Sequence, residues 1–176
     1  ELAQLPLTAP FQWKASGQEP HAFLLVPVKL ADCPKGFYMQ FDTGAPYTLF
    51  YQKTLDAIRE KYPIAGAQVQ DGQPVLLNFS FEVGDAPVQA RQVIVKDYGV
   101  AQVNWQDTAE VVVIGTLGTD LMQDRVLTID YQRQVLTVTQ EVPPQVNPPA
   151  MEAFEFNNRR ILLPAQINGK ATSLLF

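Results

Sequence analysis

Hydrophobic and polar residues alternate along much of this chain with the period of two that is typical of β-strands. The clearest case is residues 75–83, in which Leu77, Phe79 and Phe81 fall on one face and polar residues occupy the positions between them. Gly, Pro, Asn and Asp separate this segment from its neighbours, as turns require. The same reasoning predicts strands over residues 22–30, 36–41, 88–96, 110–115, 126–130 and 135–139.

Only one stretch of any length has the period of a helix. Leu55, Ile58 and Tyr62 fall on one face of residues 52–62, charged residues lie elsewhere, and Pro63 ends the pattern. One or two short helices, many short strands and no βαβ alternation predict an all-β, barrel-like domain.

Composition and charge exclude several classes of protein. The 176 residues suffice for one domain with a core but are few for two, and 47% hydrophobic with 18% charged residues is typical of a globular protein. The net charge of −5 and the absence of a basic stripe argue against binding to nucleic acid. No apolar run approaches the roughly 20 residues that span a bilayer, so no transmembrane segment is predicted.

The scarcity of cysteine and histidine limits the chemistry that the chain can perform. Cys33 is the only cysteine and His21 the only histidine, so no disulfide can form within the chain and ordinary zinc sites lack ligands. No Gly-x-Ser-x-Gly motif accompanies His21, as a serine hydrolase of that kind would require. No motif links His21 to Cys33, and we predict that Cys33 is a structural thiol. Carboxylates remain as the chemistry to consider.

One carboxylate follows directly on a predicted strand. Residues 36–41 run into the segment Asp42-Thr-Gly-Ala45. A carboxylate at the end of an apolar strand should be partly removed from water, and Gly44 allows another backbone or a substrate to approach closely. This arrangement suits acid–base chemistry; the alternative is that the triplet is only a turn between two elements.

Two separated motifs make this chain resemble the retropepsin-like aspartic proteases, the single-lobe relatives of pepsin that include the retroviral enzymes. The first is Phe37-Tyr-Met-Gln-Phe-Asp-Thr-Gly-Ala45, an apolar strand that leads into Asp-Thr-Gly-Ala. The second is Val113-Ile-Gly-Thr-Leu-Gly-Thr-Asp-Leu-Met122 followed by Thr128-Ile-Asp-Tyr131, which is similar to the family's hydrophobic-hydrophobic-Gly loop, short helix and closing hairpin. The motifs stand in the family's order, and the resemblance covers about residues 22–140.

The resemblance implies a closed retropepsin-like barrel lobe over residues 21–141 that hydrolyses peptide bonds in a peptide or protein substrate. It implies that Asp42 is a catalytic carboxylate that acts with a second aspartate on a bound water, with no metal or organic cofactor. A flap hairpin would fall at residues 64–72. The remaining site residues that it implies are the supports of the catalytic loop, Thr43, Gly44 and Ala45; the flap residues Ile64, Ala65, Gly66 and Ala67; and the second-loop residues Leu117 and Gly118.

Three other residues have candidate roles that compete with structural ones. Asp120 stands at the start of a short predicted helix, where it or Thr119 is suited to cap the first turn, so we predict capping rather than catalysis. Asp130 belongs to the closing hairpin and is predicted to be structural. Tyr62 is a candidate for the flap tyrosine of pepsin-like enzymes, but we favour a core aromatic.

Proline marks two segments outside the predicted lobe. Residues 1–20 mix Pro and Gly with scattered apolar residues, and we predict an irregular N-terminal arm there. Residues 142–153 are rich in proline and predict a semi-rigid linker. The sequence begins at Glu1 without an initiator Met, which is typical of a processed start, and we therefore expect an extracytoplasmic protein, periplasmic or secreted.

Residues 154–176 are interpreted as the first strands of a second, similar lobe. Leu163-Pro164 corresponds to Val26-Pro27, and Leu174-Leu-Phe176 corresponds to Met39-Gln-Phe41, so the next position would hold the second aspartate. Two alternatives remain for the whole protein: a homodimer like the retroviral enzymes, with the tail as an appendage, and a noncatalytic lobe for peptide binding or regulation. The tail itself has one further interpretation, an extra strand pair that completes the barrel or a dimer sheet.

Overall fold

A computed structural model describes residues 5–142, 144 and 153–176 of the chain. Within these residues the chain forms fourteen strands, one α-helix and one short 3-10 helix. The helix α1 spans Gln52–Arg59 and the 3-10 helix spans Thr119–Met122. The strands are β1 Leu7–Pro10, β2 Gln12–Ser16, β3 Glu19–Leu30, β4 Phe37–Phe41, β5 Leu49–Tyr51, β6 Gln68–Gln70, β7 Gln73–Val83, β8 Ala86–Lys96, β9 Val113–Leu117, β10 Val126–Asp130, β11 Val135–Thr139, β12 Glu155–Asn157, β13 Arg160–Ile167 and β14 Lys170–Leu175.

The main sheet closes on itself. Its strand order is β2-β3-β4-β9-β5-β8-β7-β6, and an additional antiparallel pairing joins Val28–Leu30 of β3 to residues 81–83 of β7. Six strands therefore form a closed ring, from which β2 and β6 extend. Two smaller sheets have the orders β1-β11-β10 and β12-β13-β14. The prediction of an all-β protein is confirmed, and each strand predicted between residues 22 and 139 is present.

Alternate residues of the strands fill the core of the ring. On β4, the fully buried Phe37 and Met39 alternate with half-buried residues. Phe50 of β5 makes edge-to-face contacts with Phe79 and Phe81 of β7, with ring centroids 5.1 and 5.2 Å apart. Burial of each such side chain stabilises the fold by about 1.5–3 kcal/mol. The core thus fixes β4, β5 and β7 around a common centre.

β9 lies between β4 and β5, and a glycine makes this placement possible. Gly115 pairs with Met39 of β4 on one side and with Phe50 of β5 on the other. A Cβ at Gly115 would collide with the carbonyl oxygen of Leu49 and would lie 2.6 Å from Cε of Met39. The Gly of the hydrophobic-hydrophobic-Gly motif is therefore required by packing, because any larger residue would separate β9 from its neighbours.

The prediction of an irregular arm over residues 1–20 is wrong for residues 7–10, 12–16 and 19–20. The first two segments form β1 and β2, the third begins β3, and Leu7, Ala9 and Phe11 are buried in the core. Pro10 is compatible with β1 because proline is accepted at the end of an edge strand, where no ladder hydrogen bond is lost. Most of the predicted linker over residues 142–153 lies outside the described residues.

One predicted strand begins later than expected. The strand predicted over residues 110–115 starts at Val113. Three residues earlier, Glu110 belongs to the loop between β8 and β9. Its carboxylate accepts a hydrogen bond from the N–H of Asn104 at 3.1 Å and lies 3.4 Å from Nζ of Lys35. The polar side chain of Glu110 therefore has its partners in the loop, whereas the buried strand would leave it without any.

The sheet β12-β13-β14 repeats the strand pairing found at the start of the barrel. Pro27 of β3 pairs with Tyr38 of β4, and Pro164 of β13 pairs with Ser173 of β14. Tyr38 and Ser173 each stand three residues before a phenylalanine, at position 41 and position 176 respectively. The two hairpins therefore have the same register.

An outer strand precedes the hairpin and pairs with it in each of the two sheets. Gln12 of β2 pairs with Leu25, and Glu155 of β12 pairs with Leu162. Leu25 and Leu162 each stand two residues before the proline of their own hairpin. Both sheets thus contain three consecutive antiparallel strands, β2-β3-β4 and β12-β13-β14.

None of the helices among the described residues has the length and hydrophobicity that a membrane span requires.

We expect the variant Gly115→Ala to lower the free energy of unfolding by roughly 2–4 kcal/mol, because the new methyl group collides with backbone on one side and Met39 on the other. Gly36→Ala is the matched control, since a Cβ at Gly36 meets nothing within 4 Å and should change stability by less than about 0.5 kcal/mol. Denaturant titration measures both variants. Equal losses for the two would contradict the packing argument.

Candidate active site

Asp42 begins the loop of residues 42–48 that joins β4 to β5. These two strands follow one another in sequence, yet β9 lies between them in the sheet. β4 and β9 are parallel, with Phe41 opposite Leu117, so both strands end at the same edge. The loop must cross the end of β9 to reach β5, and it therefore meets the segment that leaves β9.

The backbone around Asp42 fixes one oxygen of its carboxylate. The N–H of Gly44 donates to Oδ1 of Asp42 at 2.8 Å, while the N–H of Asp42 donates to the carbonyl oxygen of Leu117 at 3.1 Å. No residue in the described part of the chain donates to Oδ2. Asp42 as a residue is partly buried, and its carboxylate combines one anchored oxygen with one that can meet another group.

Gly44 and Ala45 have distinct backbone roles in this loop. A Cβ at Gly44 would lie 3.2 Å from Oδ1 of Asp42 and 3.8 Å from Cδ2 of Leu175, so the glycine brings its N–H close to the carboxylate. The carbonyl oxygen of Ala45 accepts a hydrogen bond from the N–H of Thr119 at 2.8 Å. It also lies 3.2 Å from the Thr119 hydroxyl, whose single proton it shares with the carbonyl oxygen of Arg159. Residues 42–45 are thus joined to the segment after β9.

Leu117 and Gly118, the predicted second-loop residues, lie directly beneath this loop. Gly118 is buried, and a Cβ there would collide with the carbonyl group of Tyr47 and would lie 2.7 Å from the carbonyl oxygen of Ala45. Only glycine lets the two segments approach this closely. The structure therefore brings the two sequence motifs into contact, since Thr119 bonds Ala45 across a separation of 74 residues.

Asp120 does not cap the short helix as predicted. The N-cap position is Gly118, and no side chain makes a capping hydrogen bond there. The carboxylate of Asp120 instead accepts hydrogen bonds from the N–H of Thr48, at 2.9 Å from each oxygen, and from the Thr48 hydroxyl at 2.8 Å. Asp120 contacts the 42–48 loop because it follows the end of β9, which lies beneath that loop.

Thr48 and Thr119 are site residues that sequence reasoning missed as partners of the loop. Both side chains are buried, at 3% and 0% exposure, and both make hydrogen bonds. Buried hydroxyl groups need such partners. Their partners are more than 70 residues away in sequence, so the local pattern carries no signal for them.

Thr43 faces a groove between the barrel and the C-terminal sheet. The groove has a volume of about 800 Å³. It is bordered by Thr43, by β10 and the segment that precedes it, and by β12 and β13. The apolar residues that line it are Val126, Leu127, Ile129, Phe154, Phe156, Ile161 and Phe176.

The C-terminal sheet contacts both segments of the site. The guanidinium of Arg159 lies 5.0 Å from the ring centroid of Tyr47, and the carbonyl oxygen of Arg159 accepts a hydrogen bond from the Thr119 hydroxyl. Leu175, the last residue of β14, lies beside Gly44. The end of the repeated hairpin is therefore next to the loop that carries Asp42.

The predicted flap residues Ile64, Ala65, Gly66 and Ala67 form an irregular segment before β6. The hairpin itself joins β6 to β7 and turns at Asp71 and Gly72, which both have positive φ. All three residues of β6 are exposed, and β6 is the last strand of the sheet.

Tyr62 and Asp130 have the structural surroundings that were predicted for them. Tyr62 packs at the edge of the core, with its ring centroid 5.1 Å from that of Trp105. The carboxylate of Asp130 accepts hydrogen bonds from the N–H groups of Gln132 and Arg133 at 3.0 and 2.9 Å. It thereby closes the turn between β10 and β11.

Cys33 and His21 are not arranged as a nucleophile and its base. Burial raises the pKa of the Cys33 thiol, and a hydrogen bond with the Lys35 backbone and the charges of Lys61 and Lys35 offset this only in part. His21 is exposed and lies edge-on to Trp13, with centroids 5.1 Å apart. Among the described residues, no group of three His, Cys, Asp or Glu side chains could hold a metal ion.

We expect Cys33 to react with iodoacetamide at pH 8 at least about ten times more slowly in the folded protein than in guanidinium, because burial both shields the thiol and disfavours the thiolate. The sequence contains no other cysteine, so mass spectrometry measures the rate without ambiguity. A folded-state rate equal to the unfolded one would make Cys33 a reactive thiol.

Comparison with known proteins supplies no assignment for this site. No family model matches the chain, and no curated protein and no solved structure match it. The functional interpretation therefore depends on the residues and the geometry described above.

Proposed function

We propose that this chain supplies a catalytic lobe of an aspartic endopeptidase, with Asp42 as its catalytic carboxylate. The observation that carries the proposal is the placement of Asp42 on a loop that crosses the end of β9, with Oδ1 anchored by the N–H of Gly44 at 2.8 Å. Because Oδ2 accepts no hydrogen bond from the described residues, it can meet a water molecule or a second carboxyl group. These are the two partners that the reaction requires.

The repeated register supports a second lobe as the source of the second carboxylate. Phe176 follows β14 at the position that Phe41 occupies in the first hairpin, directly before Asp42. The neighbouring residue Leu175 already lies beside Gly44. We therefore propose that the position after Phe176 holds the partner aspartate, facing Asp42 across the junction of two lobes. A homodimer is the alternative arrangement.

The exposed apolar residues of the C-terminal sheet agree with this proposal. Leu174 and Phe176 are 48% and 55% exposed, whereas Met39 and Phe41, their equivalents in the first hairpin, are buried. Apolar side chains on a strand are normally covered by a second layer of structure. Further strands of the second lobe would provide that layer.

In the proposed mechanism the two carboxyl groups act as a pair. Two carboxyl groups about 3 Å apart do not both ionise, so the pair shares one proton, as the paired aspartates of aspartic proteases do. The ionised member takes a proton from a bound water, whose oxygen bonds to the peptide carbonyl carbon, and the protonated member donates to the carbonyl oxygen, which gives a gem-diol. The first carboxyl group then gives its new proton to the amide nitrogen, the second takes a proton from a gem-diol hydroxyl, and the C–N bond breaks. The products are a carboxylic acid and an amine, and the pair again holds one proton. Thr43 would hold together the two loops that carry the aspartates. The mechanism uses no metal or organic cofactor.

We expect Asp42→Asn to reduce peptide cleavage by at least about a hundredfold in the complete enzyme, because an amide cannot exchange the proton that the pair shares. The unfolding free energy should change by less than about 1 kcal/mol, since the Asn side chain oxygen can still accept from the N–H of Gly44. A fluorogenic peptide library and denaturant titration measure the two quantities.

Asp85→Asn is the control for this experiment, because Asp85 is an exposed carboxylate paired with Lys29 on the surface. It should retain wild-type cleavage. Full activity of Asp42→Asn would remove Asp42 from the mechanism. A wild-type enzyme that binds peptides but cleaves none between about pH 3 and 8 would favour the noncatalytic lobe.

The source of the second carboxylate is tested by the sequence that follows the codon for Phe176 together with the mass of the active species. We expect Asp-Thr-Gly or Asp-Ser-Gly directly after Phe176 and an active monomer in sedimentation experiments. An active dimer without an acidic residue at that position would replace the two-lobe arrangement with the homodimer.

A further inference from the structure

The carboxylate of Asp120 is held by more hydrogen bonds than that of Asp42, although the proposed reaction does not use it. Its two oxygens accept from the N–H and the hydroxyl of Thr48 at 2.8–2.9 Å. The same hydroxyl accepts from the N–H of Gly118 at 3.2 Å. A continuous chain of hydrogen bonds therefore runs from Gly118 through Thr48 to Asp120, and we name these three residues the brace.

The brace fixes the far end of the loop that carries Asp42. Thr48 is the last residue before β5, whereas Asp42 is the first residue after β4. The near end is fixed by the hydrogen bond from Asp42 to Leu117. Hydrogen bonds to a carboxylate are stronger than those between neutral groups, so the far end is held at least as firmly as the near one.

We propose that Asp120 and Thr48 are positioning residues, which hold the 42–48 loop so that the carboxylate of Asp42 keeps the orientation set by Gly44. For its effect on catalysis, the inference rests on the proposed function. Its structural part does not, because the order of the loop can be measured without any substrate. Neither Asp120 nor Thr48 touches the reacting atoms in this assignment.

A positioning role has a different kinetic signature from a purely stabilising one. When a reacting group is displaced by about 1 Å, the chemical step slows by as much as a hundredfold, while substrate contacts elsewhere persist. Loss of the brace should therefore lower kcat and leave KM nearly unchanged. A simple loss of stability would instead reduce the amount of folded enzyme, and the folded remainder would keep the wild-type kcat and KM.

The kinetic experiment compares Asp120→Ala and Thr48→Val with two control variants in the complete enzyme. The first two should lower kcat by about 10- to 100-fold, with KM within about threefold of wild type. Thr48→Ser keeps the hydroxyl and should restore most of kcat. Asp130→Ala removes a carboxylate that also accepts two backbone N–H groups, but in the hairpin turn, and should leave kcat unchanged.

Combining the two brace substitutions gives a further test. The double variant should lose clearly less kcat than the product of the two single losses, because both changes break the bond from the Thr48 hydroxyl to the Asp120 carboxylate. Asp120→Ala also removes the acceptor of the Thr48 N–H, and Thr48→Val also removes the acceptor of the Gly118 N–H. Multiplied losses would mean that Asp120 and Thr48 act independently, and the brace would be refuted. An equal fall of kcat in Asp130→Ala would show that the effect arises from general destabilisation and would also refute the brace.

Amide hydrogen exchange separates failure of this inference from failure of the proposed function. Asp120→Ala and Thr48→Val should speed exchange of the N–H groups of Asp42 and Gly44 by at least about tenfold, and Asp130→Ala should not. If the enzyme cleaves no peptide but these rates rise, the brace stands and the peptidase assignment fails. If the rates are unchanged, the brace is overturned whatever the activity.

Discussion

The insertion of β9 between β4 and β5 is the constraint from which the geometry of the candidate site follows. Because β4 and β9 are parallel, they end side by side, with Phe41 opposite Leu117. The chain that leaves β4 cannot pair with β5 directly and has to cross the end of β9. Two loops that are remote in sequence are therefore forced into contact at one edge of the ring, and Asp42 lies at the point where the crossing begins.

Two glycines and two threonines allow this crossing to be tight. Gly115 and Gly118 remove side chains where backbone from a neighbouring segment approaches most closely. Thr48 and Thr119 supply hydroxyl groups that bond across the crossing, so the buried polar groups are satisfied. Each such hydrogen bond contributes only about 0.5–1.5 kcal/mol. Together they nevertheless fix the loop at several points, which a single contact could not do.

The C-terminal sheet adds a second constraint, because its hairpin repeats the register of the first and ends beside the same loop. Leu175 lies next to Gly44, and the backbone of Arg159 bonds Thr119. The first hairpin buries its apolar residues inside the ring, whereas the second leaves Leu174 and Phe176 about half exposed. A three-stranded sheet cannot cover both of its faces, so these residues form an apolar surface of the kind that another layer of structure covers.

The sequence by itself determined the class of fold, most of the strands and the position of the candidate carboxylate. These features are local: alternation with a period of two specifies strands 75–83 and 135–139, and an apolar strand running into Asp-Thr-Gly marks Asp42. The repeat at the C-terminus could also be found, because Pro and Phe recur at matching positions. Local patterns failed for residues 7–10 and 12–16, where proline at a strand end was interpreted as a sign of irregular structure.

Only the tertiary structure decided what surrounds Asp42. Asp120 has the sequence position of a helix cap, but its carboxylate bonds Thr48, which is 72 residues away. The choice between these partners depends on the order of strands in the sheet, and alternation along one strand carries no information about its neighbours. The same holds for Gly118, whose need to be glycine arises from the carbonyl groups of the loop that crosses it. A local pattern specifies which residues face inward, whereas the contacts across the crossing exist only once β9 lies between β4 and β5.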